Sequence, residues 1–202
     1  MQKLSGIILA AGLSSRMGDF KPLLRINGQT MIQRVICMMR RCGASPIVIV
    51  TGHRRKALEA ALAGKADVEF VFNPAYASTQ QMDSLRLALA ALRGRTERVM
   101  ISPADVPLVC HATAAMLRDT AGDFVRPNWH GQYGHPVFIQ AEWMDYLIAY
   151  DGPGGLRGAM ESSGAPIRSL PVLDRGTVLD SDTPEDFRCL REWITGRQSI
   201  PV

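Results

Sequence analysis

Short apolar runs rich in β-branched residues alternate with segments of helical period along most of this chain, and that alternation constrains its fold more than any other feature. Leu4 to Ala10 is an apolar run stopping short of Gly12, as a buried parallel strand does. Thr30 to Cys42 follows, with Met31, Ile32, Val35, Ile36 and Met39 at helical spacing and Gly43 as a C-terminal stop. The unit then recurs. Strand Pro46 to Thr51 precedes helix Lys56 to Leu62, which Gly64 closes; strand Val68 to Phe72 precedes helix Ser84 to Leu92, ending near Gly94. Strand Arg98 to Ser102, helix Ala112 to Arg118 and strand Phe124 to Arg126 continue it. Strands met by helices at this pitch predict a Rossmann-like, mostly parallel sheet with helices on both faces, a three-layer α/β/α fold.

The second half is less regular. Gly131, Gly134, Pro136, Gly152, Pro153, Gly154, Gly155 and Gly158 crowd a stretch holding one short strand, Val137 to Ile139, and a helix near Glu142 to Ala149. Such glycine density predicts loops bent around something. A last strand near Ile167 to Val172 leads to a helix starting at Thr183-Pro184-Glu185, where an N-cap hydroxyl, a proline and first-turn acids make a strong start signal.

With 202 residues, 47% of them hydrophobic, the chain can bury one full core, and no Pro/Gly/Ser-rich linker divides it; residues 1–202 read as a single domain. The formal charge of +4 comes from scattered Lys and Arg, which suits a triphosphate pocket better than a nucleic-acid face. Cys37, Cys42, Cys110 and Cys189 form no CxxC pair and no zinc spacing, so they read as free thiols in a reducing compartment. No apolar stretch approaches the ~18 residues of a membrane span, and no cleavable leader is evident. The expectation is a cytoplasmic protein with neither nucleic acid nor membrane as partner.

Ligands of such sheets sit beyond the carboxyl ends of the strands, which directs attention to the loop after the first one. It reads Leu9-Ala10-Ala11-Gly12-Leu13-Ser14-Ser15-Arg16-Met17-Gly18, with Lys21 close behind. Small residues let backbone N–H groups approach phosphate oxygens, and Arg16 and Lys21 add fixed positive charge. The loop is neither a Walker A sequence nor a G-x-G-x-x-G fingerprint. On these residues alone, a surface loop with two solvated cations stands as an equal alternative.

The motif Leu9-Ala10-Ala11-Gly12, Arg16-Met17-Gly18, Lys21 resembles the signature of the nucleotidyltransferases that include the sugar-1-phosphate pyrophosphorylases, and most of all their MobA-like, molybdenum-cofactor branch. Val50-Thr51-Gly52-His53, Asn73-Pro74-Ala75-Tyr76, Asp105-Val106-Pro107-Leu108, Gly134-His135-Pro136-Val137, Gly155-Leu156-Arg157 and Asp182-Thr183-Pro184-Glu185-Asp186 fall in the order that branch shows. The likeness spans almost the whole chain. It implies a sheet of the nucleotide-diphospho-sugar transferase type and a transfer of CMP or GMP from CTP or GTP to the terminal phosphate of molybdopterin or its molybdenum cofactor. It also leaves a molybdoenzyme or an insertion chaperone open as protein partner.

The same resemblance implies the site. Asp105 is assigned to Mg²⁺, a hard cation that takes carboxylate and phosphate oxygens. Asp182, with Asp180 as its rival, is the second carboxylate; Ser181 between them replaces the branch's common apolar residue. Arg16, Lys21, Asp105 and His135 form the catalytic set, His135 facing the acceptor. Leu9, Ala10, Ala11, Gly12, Arg16, Lys21, His53, Gln80, Gln81, Ser84 and Asp105 are the nucleotide set. In the branch an Ala-Ala-Gly loop accompanies cytidylyl transfer, so Ala11 favours CTP, whereas Gln81-Met82 departs from the frequent Gly-Met pair and bears on base identity. Arg157 and the Gly152 to Gly158 segment are expected near the acceptor. The same chemistry on a sugar- or alcohol-phosphate, and a non-catalytic module delivering nucleotide or cofactor, are the competing readings. Retention of Arg16, Lys21, Asp105 and Asp182 weighs against the last, since buried charges without a ligand are costly.

Overall fold

The structure, a computed structural model, describes residues 2–15 and 17–198. Arg16, assigned above to the nucleotide, lies outside the described residues. The chain opens with strand β1 (Leu4–Ala10) and a small antiparallel hairpin of β2 (Arg25–Ile26) and β3 (Gln29–Thr30). Helix α1 (Met31–Arg41), strand β4 (Ile47–Thr51), helix α2 (Arg55–Ala61) and strand β5 (Val68–Phe72) follow. Next come α3 (Gln81–Leu92), β6 (Arg98–Pro103), α4 (His111–Asp119), β7 (Phe124–Trp129), β8 (Gln132–Tyr133) and β9 (Val137–Gln140). Helices α5 (Met144–Ala149) and α6 (Gly155–Ser162), strand β10 (Ile167–Pro171) and helix α7 (Pro184–Gln198) complete it.

The main sheet has the order β10-β7-β9-β6-β1-β4-β5, with β8 paired to β7. Strands β6, β1, β4 and β5 run parallel, as does β10 beside β7, while β9 is antiparallel to both β6 and β7. Because β1 sends its connection towards β4 and the chain later returns to β6 on its other side, the crevice between the carboxyl ends of β1 and β6 is a switch point of the kind that receives ligands.

Alternate residues of each central strand feed two cores. Ile8, Ile49 and Met100 pack with Ile32, Ile36 and Met39 of α1, Leu58 of α2 and Leu117 of α4. Ile7, Val48, Val50 and Ile101 pack with Leu85 and Leu89 of α3, Leu147 of α5 and Met160 of α6 on the opposite face. Burial on both faces explains why these strands read as continuous apolar runs. A third, smaller cluster joins Ile26 of the hairpin, Met31, Leu108, and Leu190 and Ile194 of α7, and so draws the last helix towards the loop after β1. Arg175 adds to this tie, stacking on Trp129 at 5.6 Å and on Trp193 of α7 at 5.5 Å.

Local signals in the sequence correspond to observed caps. The Thr30 side chain accepts from the Gln33 N–H while Gln33 Oε1 accepts from the Thr30 N–H, a capping box. Thr183 does the same with Asp186, its N–H donating to Asp186 Oδ2 at 2.8 Å and its Oγ1 accepting from the Asp186 N–H at 3.2 Å. The glycine-rich stretch after Gly152 departs from expectation: it is not all loop, since α6 begins at Gly155. There the glycines permit close packing, because a Cβ on Gly158 would lie 2.0 Å from the Pro153 carbonyl oxygen. Buried Ala159 and Met160 outweigh the glycine penalty of about 1 kcal/mol per residue. Helix α3 also starts earlier than the periodicity indicates, at Gln81, with the Asp83 carboxylate accepting from the Gln80 N–H at 2.9 Å.

Gly52, at the end of β4, meets the loop after β1 so closely that an added Cβ would stand 2.5 Å from the Ala11 carbonyl oxygen and 2.7 Å from Tyr76 Cβ. Gly52→Ala is therefore expected to destabilise the fold by about 1–3 kcal/mol, read as a shift of the urea midpoint at constant slope. A midpoint equal to the parent's would show that this contact relaxes freely.

Candidate active site

The carboxyl ends of β1 and β6 open into a cavity of about 210 Å³. Leu9, Ala10, Ala11 and Gly12 form one wall, Lys21 and Pro22 a second, and Pro103, Ala104 and Asp105 a third. Tyr76, Thr79, Gln80, Gln81 and Ser84 close the far side. Short backbone contacts hold these walls together: the Ala104 N–H donates to Leu9 O at 3.0 Å and the His53 N–H to Ala11 O at 3.3 Å. Ser14, in a left-handed conformation, turns the loop back, and its hydroxyl accepts from the Lys21 N–H at 3.3 Å. The turn at Lys21–Leu23 then aims the Lys21 side chain inward.

Lys21 is the electrostatic centre of this cavity. Its Nζ donates to Asp182 Oδ1 at 2.6 Å and stands 3.5 Å from Asp105 Oδ2. Burial holds the Asp105 carboxyl above the ordinary carboxylate range; Lys21 opposes this and Asp182 adds to it. Asp180 is likewise raised, first by burial and then by Asp105 and Asp182. Three acids therefore repel one another around a single ammonium. A hard divalent cation suits this arrangement, because two converging carboxylates leave positions for phosphate oxygens and water. Among the described residues no group of three or more His, Cys, Asp and Glu could hold a metal. The donor set fits an ion that completes its shell from the nucleotide.

All the nucleotide-set residues within the described chain line this cavity except His53. The His53 ring instead lies between Phe20 and Tyr76, at centroid distances of 6.0 and 6.3 Å, and buttresses the loop from outside. Asn73, the first residue of the Asn73-Pro74-Ala75-Tyr76 motif, stands behind the far wall. It is buried, donates through Nδ2 to Thr79 Oγ1 at 3.0 Å and Ser84 Oγ at 3.1 Å, and accepts the Ala75 N–H at 3.0 Å. It thereby shapes the wall that carries Gln80 and Gln81, and the Asn-Pro turn signal was its trace in the sequence.

A second, larger cleft of about 770 Å³ adjoins the first and shares Leu9, Gln80 and Gln81 with it. His135, Gly154, Gly155 and Arg157, the residues expected near an acceptor, line it rather than the cavity that holds Lys21. His135 Nδ1 is shut off from solvent with no hydrogen-bond partner among the described residues. Burial pushes the imidazole down to about 4, against a smaller opposing effect of the Ile101 backbone. It is thus neutral at physiological pH, a polar lining and not a charge. Arg126 and Tyr133, which belong to none of the motifs, also line this cleft.

Residues 6–167 match the family model described as the MobA-like NTP transferase domain. The molybdenum cofactor cytidylyltransferase of Escherichia coli (strain K12) is 28% identical over 197 residues, covering 96% of this chain and 99% of that protein. The crystal structure of Rv0371c from Mycobacterium tuberculosis H37Rv superposes with a TM-score of 0.80 at 28% identity, covering 95% of this chain and 99% of that one. A manganese complex of the same mycobacterial protein gives a TM-score of 0.76 at 25% identity, with 95% and 98% covered.

Because its folded carboxyl is raised, Asp105 costs stability once ionised: that cost appears as pH rises from the unfolded value through the folded one. Asp105→Asn is expected to raise the melting temperature of the ligand-free protein at neutral pH, with the gain vanishing below pH ~4. Thermal scans across that range decide it; a variant that never melts above the parent contradicts the assignment.

Proposed function

The chain belongs to the MobA-like NTP transferase family, and from that membership we propose that it moves CMP from CTP onto the terminal phosphate of molybdopterin or its molybdenum cofactor, releasing pyrophosphate. GTP, as GMP donor, is the second candidate. The observation that carries this reading is the convergence of the β1 loop, Lys21 and Asp105 on one cavity that adjoins a larger cleft, with Asp182 bound to the same Lys21 ammonium. Similarity over nearly the full length of both chains to a molybdenum cofactor cytidylyltransferase supports the choice of acceptor. The Ala10-Ala11-Gly12 loop supports the choice of base.

In this proposal residues 1–202 act as one cytoplasmic nucleotidyltransferase domain. The triphosphate lies along the backbone of Leu9 to Gly12, with the base against Gln80, Gln81 and Ser84. An acceptor phosphate oxygen attacks the α-phosphorus in line. The attacking group is already anionic, so no side chain need remove a proton; placement and charge neutralisation supply the rate. Asp105 and Asp182 would hold Mg²⁺, which when bound neutralises phosphate charge and orients the reacting oxygens. Lys21, relieved of its carboxylate partners, donates to the transferring group, and Arg16 receives the departing phosphates. His135, uncharged, lines the acceptor side.

Pyrophosphate release measured with CTP, GTP, UTP and ATP against molybdopterin and a set of sugar- and alcohol-phosphates tests base and acceptor together. CTP with molybdopterin is expected to give the highest kcat/KM. Lys21→Ala and Asp105→Ala should each lower turnover about 10²–10³-fold, the scale of losing one preorganised electrostatic group. Release at the parent rate by Lys21→Ala would remove the mechanism, and faster turnover with a sugar- or alcohol-phosphate would move the acceptor to that class.

A further inference from the structure

Arg126 lies on β7 and lines the second cleft, yet its side chain is only 8% exposed. Its Nε donates to the neutral Ser169 hydroxyl of the neighbouring strand β10 at 2.9 Å. The one carboxylate within 4.0 Å among the described residues is that of Glu161, whose Oε1 stands 3.9 Å from Arg126 Nη1, beyond hydrogen-bond range. That oxygen is already taken by Arg157 Nε at 2.9 Å. Two guanidiniums therefore share one half-exposed carboxylate, and the cleft wall keeps an excess of positive charge. A guanidinium does not shed its proton, and a buried cation without an anion is expensive.

The orientation is also fixed. The Arg126 guanidinium lies against the Tyr133 ring, 3.4 Å from its centroid, and Arg157 stands 5.5 Å from the same ring. Stacking restrains a planar fork whose terminal donors are suited to oxyanions. His135 lines the same cleft.

We propose that Arg126 binds a second anionic group of the acceptor, an oxyanion separate from the phosphate that attacks. The inference rests on the reading of the second cleft as the acceptor's. The attacking oxygen must stand about 3–3.5 Å from the α-phosphorus, hence beside Lys21 and Asp105 in the first cavity. Arg126 lines only the second cavity, and the two meet at Leu9, Gln80 and Gln81, so the group it holds is a different one. The acceptor then carries two anionic groups, with Arg126 selecting against analogues in which the second is neutral.

Two six-carbon probes, 6-phosphogluconate and glucitol 6-phosphate, carry the same phosphate and differ at the far end by a carboxylate against a hydroxymethyl group. Their affinities are measured by calorimetry with magnesium and a non-transferable methylene analogue of CTP in the first cavity. The parent is expected to bind the carboxylate probe ~10–100-fold more tightly, the worth of one hydrogen-bonded charge. Arg126→Gln should bring that ratio to about one, and Arg126→Lys should keep part of it, both with unchanged affinity for the CTP analogue. A ratio near one in the parent, absence of binding by both probes, persistence of the preference in Arg126→Gln, or loss of nucleotide affinity along with it overturns the proposal. Pyrophosphate release from CTP is read separately. Transfer without the end-group preference sinks this inference alone, whereas the preference without transfer to any acceptor leaves the Arg126 site standing and removes the functional reading.

Discussion

One ammonium group, that of Lys21, bridges carboxylates brought together from distant parts of the chain, Asp182 lying 161 residues beyond it. The architecture around the site can be understood as what this meeting requires. Strands β1 and β6 must be neighbours for Lys21 and Asp105 to face one cavity, and their parallel register supplies that. Asp182 must be carried back from the far end of the chain, which falls to the cluster holding α7 against the β2–β3 hairpin. The charges so assembled are not at rest: burial and mutual repulsion raise Asp105 and Asp180. A site that destabilises its own acids favours any ligand bringing a cation to them.

Much of this was legible in the residue order, because the central strands carry their own evidence. β1 and β5 have the bounds that apolar runs bracketed by turn residues predict, and α1 agrees with its periodicity and its Thr30 cap. Buried strands admit few polar residues, so their edges are sharp in sequence. What escaped is α6, where glycine serves close approach rather than a bend. The β2–β3 hairpin and β8 escaped as well, being two-residue strands too short for any period to register.

The candidate site divides the same way. Backbone-lined positions from Leu9 to Gly12 and the charge of Lys21 follow from the loop after the first strand, whereas the role of Asp105 came with the family resemblance. Arg126 was invisible for the opposite reason. In sequence it is one arginine within a strand, and only the partners across β10, β8 and α6 reveal that its charge lies buried with a neutral neighbour. His53 belongs to a motif, and its ring contacts with Phe20 and Tyr76 are not encoded in that spacing.

Arg175 connects the end of β7 with the last helix. It lies between Trp129 at the end of β7 and Trp193 of α7, the helix that follows Asp182. Gly134 reinforces this linkage: it leaves no room for a side chain against the Thr177 carbonyl, whose oxygen also accepts the His135 N–H at 2.8 Å. Moving the end of β7 away from α7 would cost Arg175 one of its two indole faces.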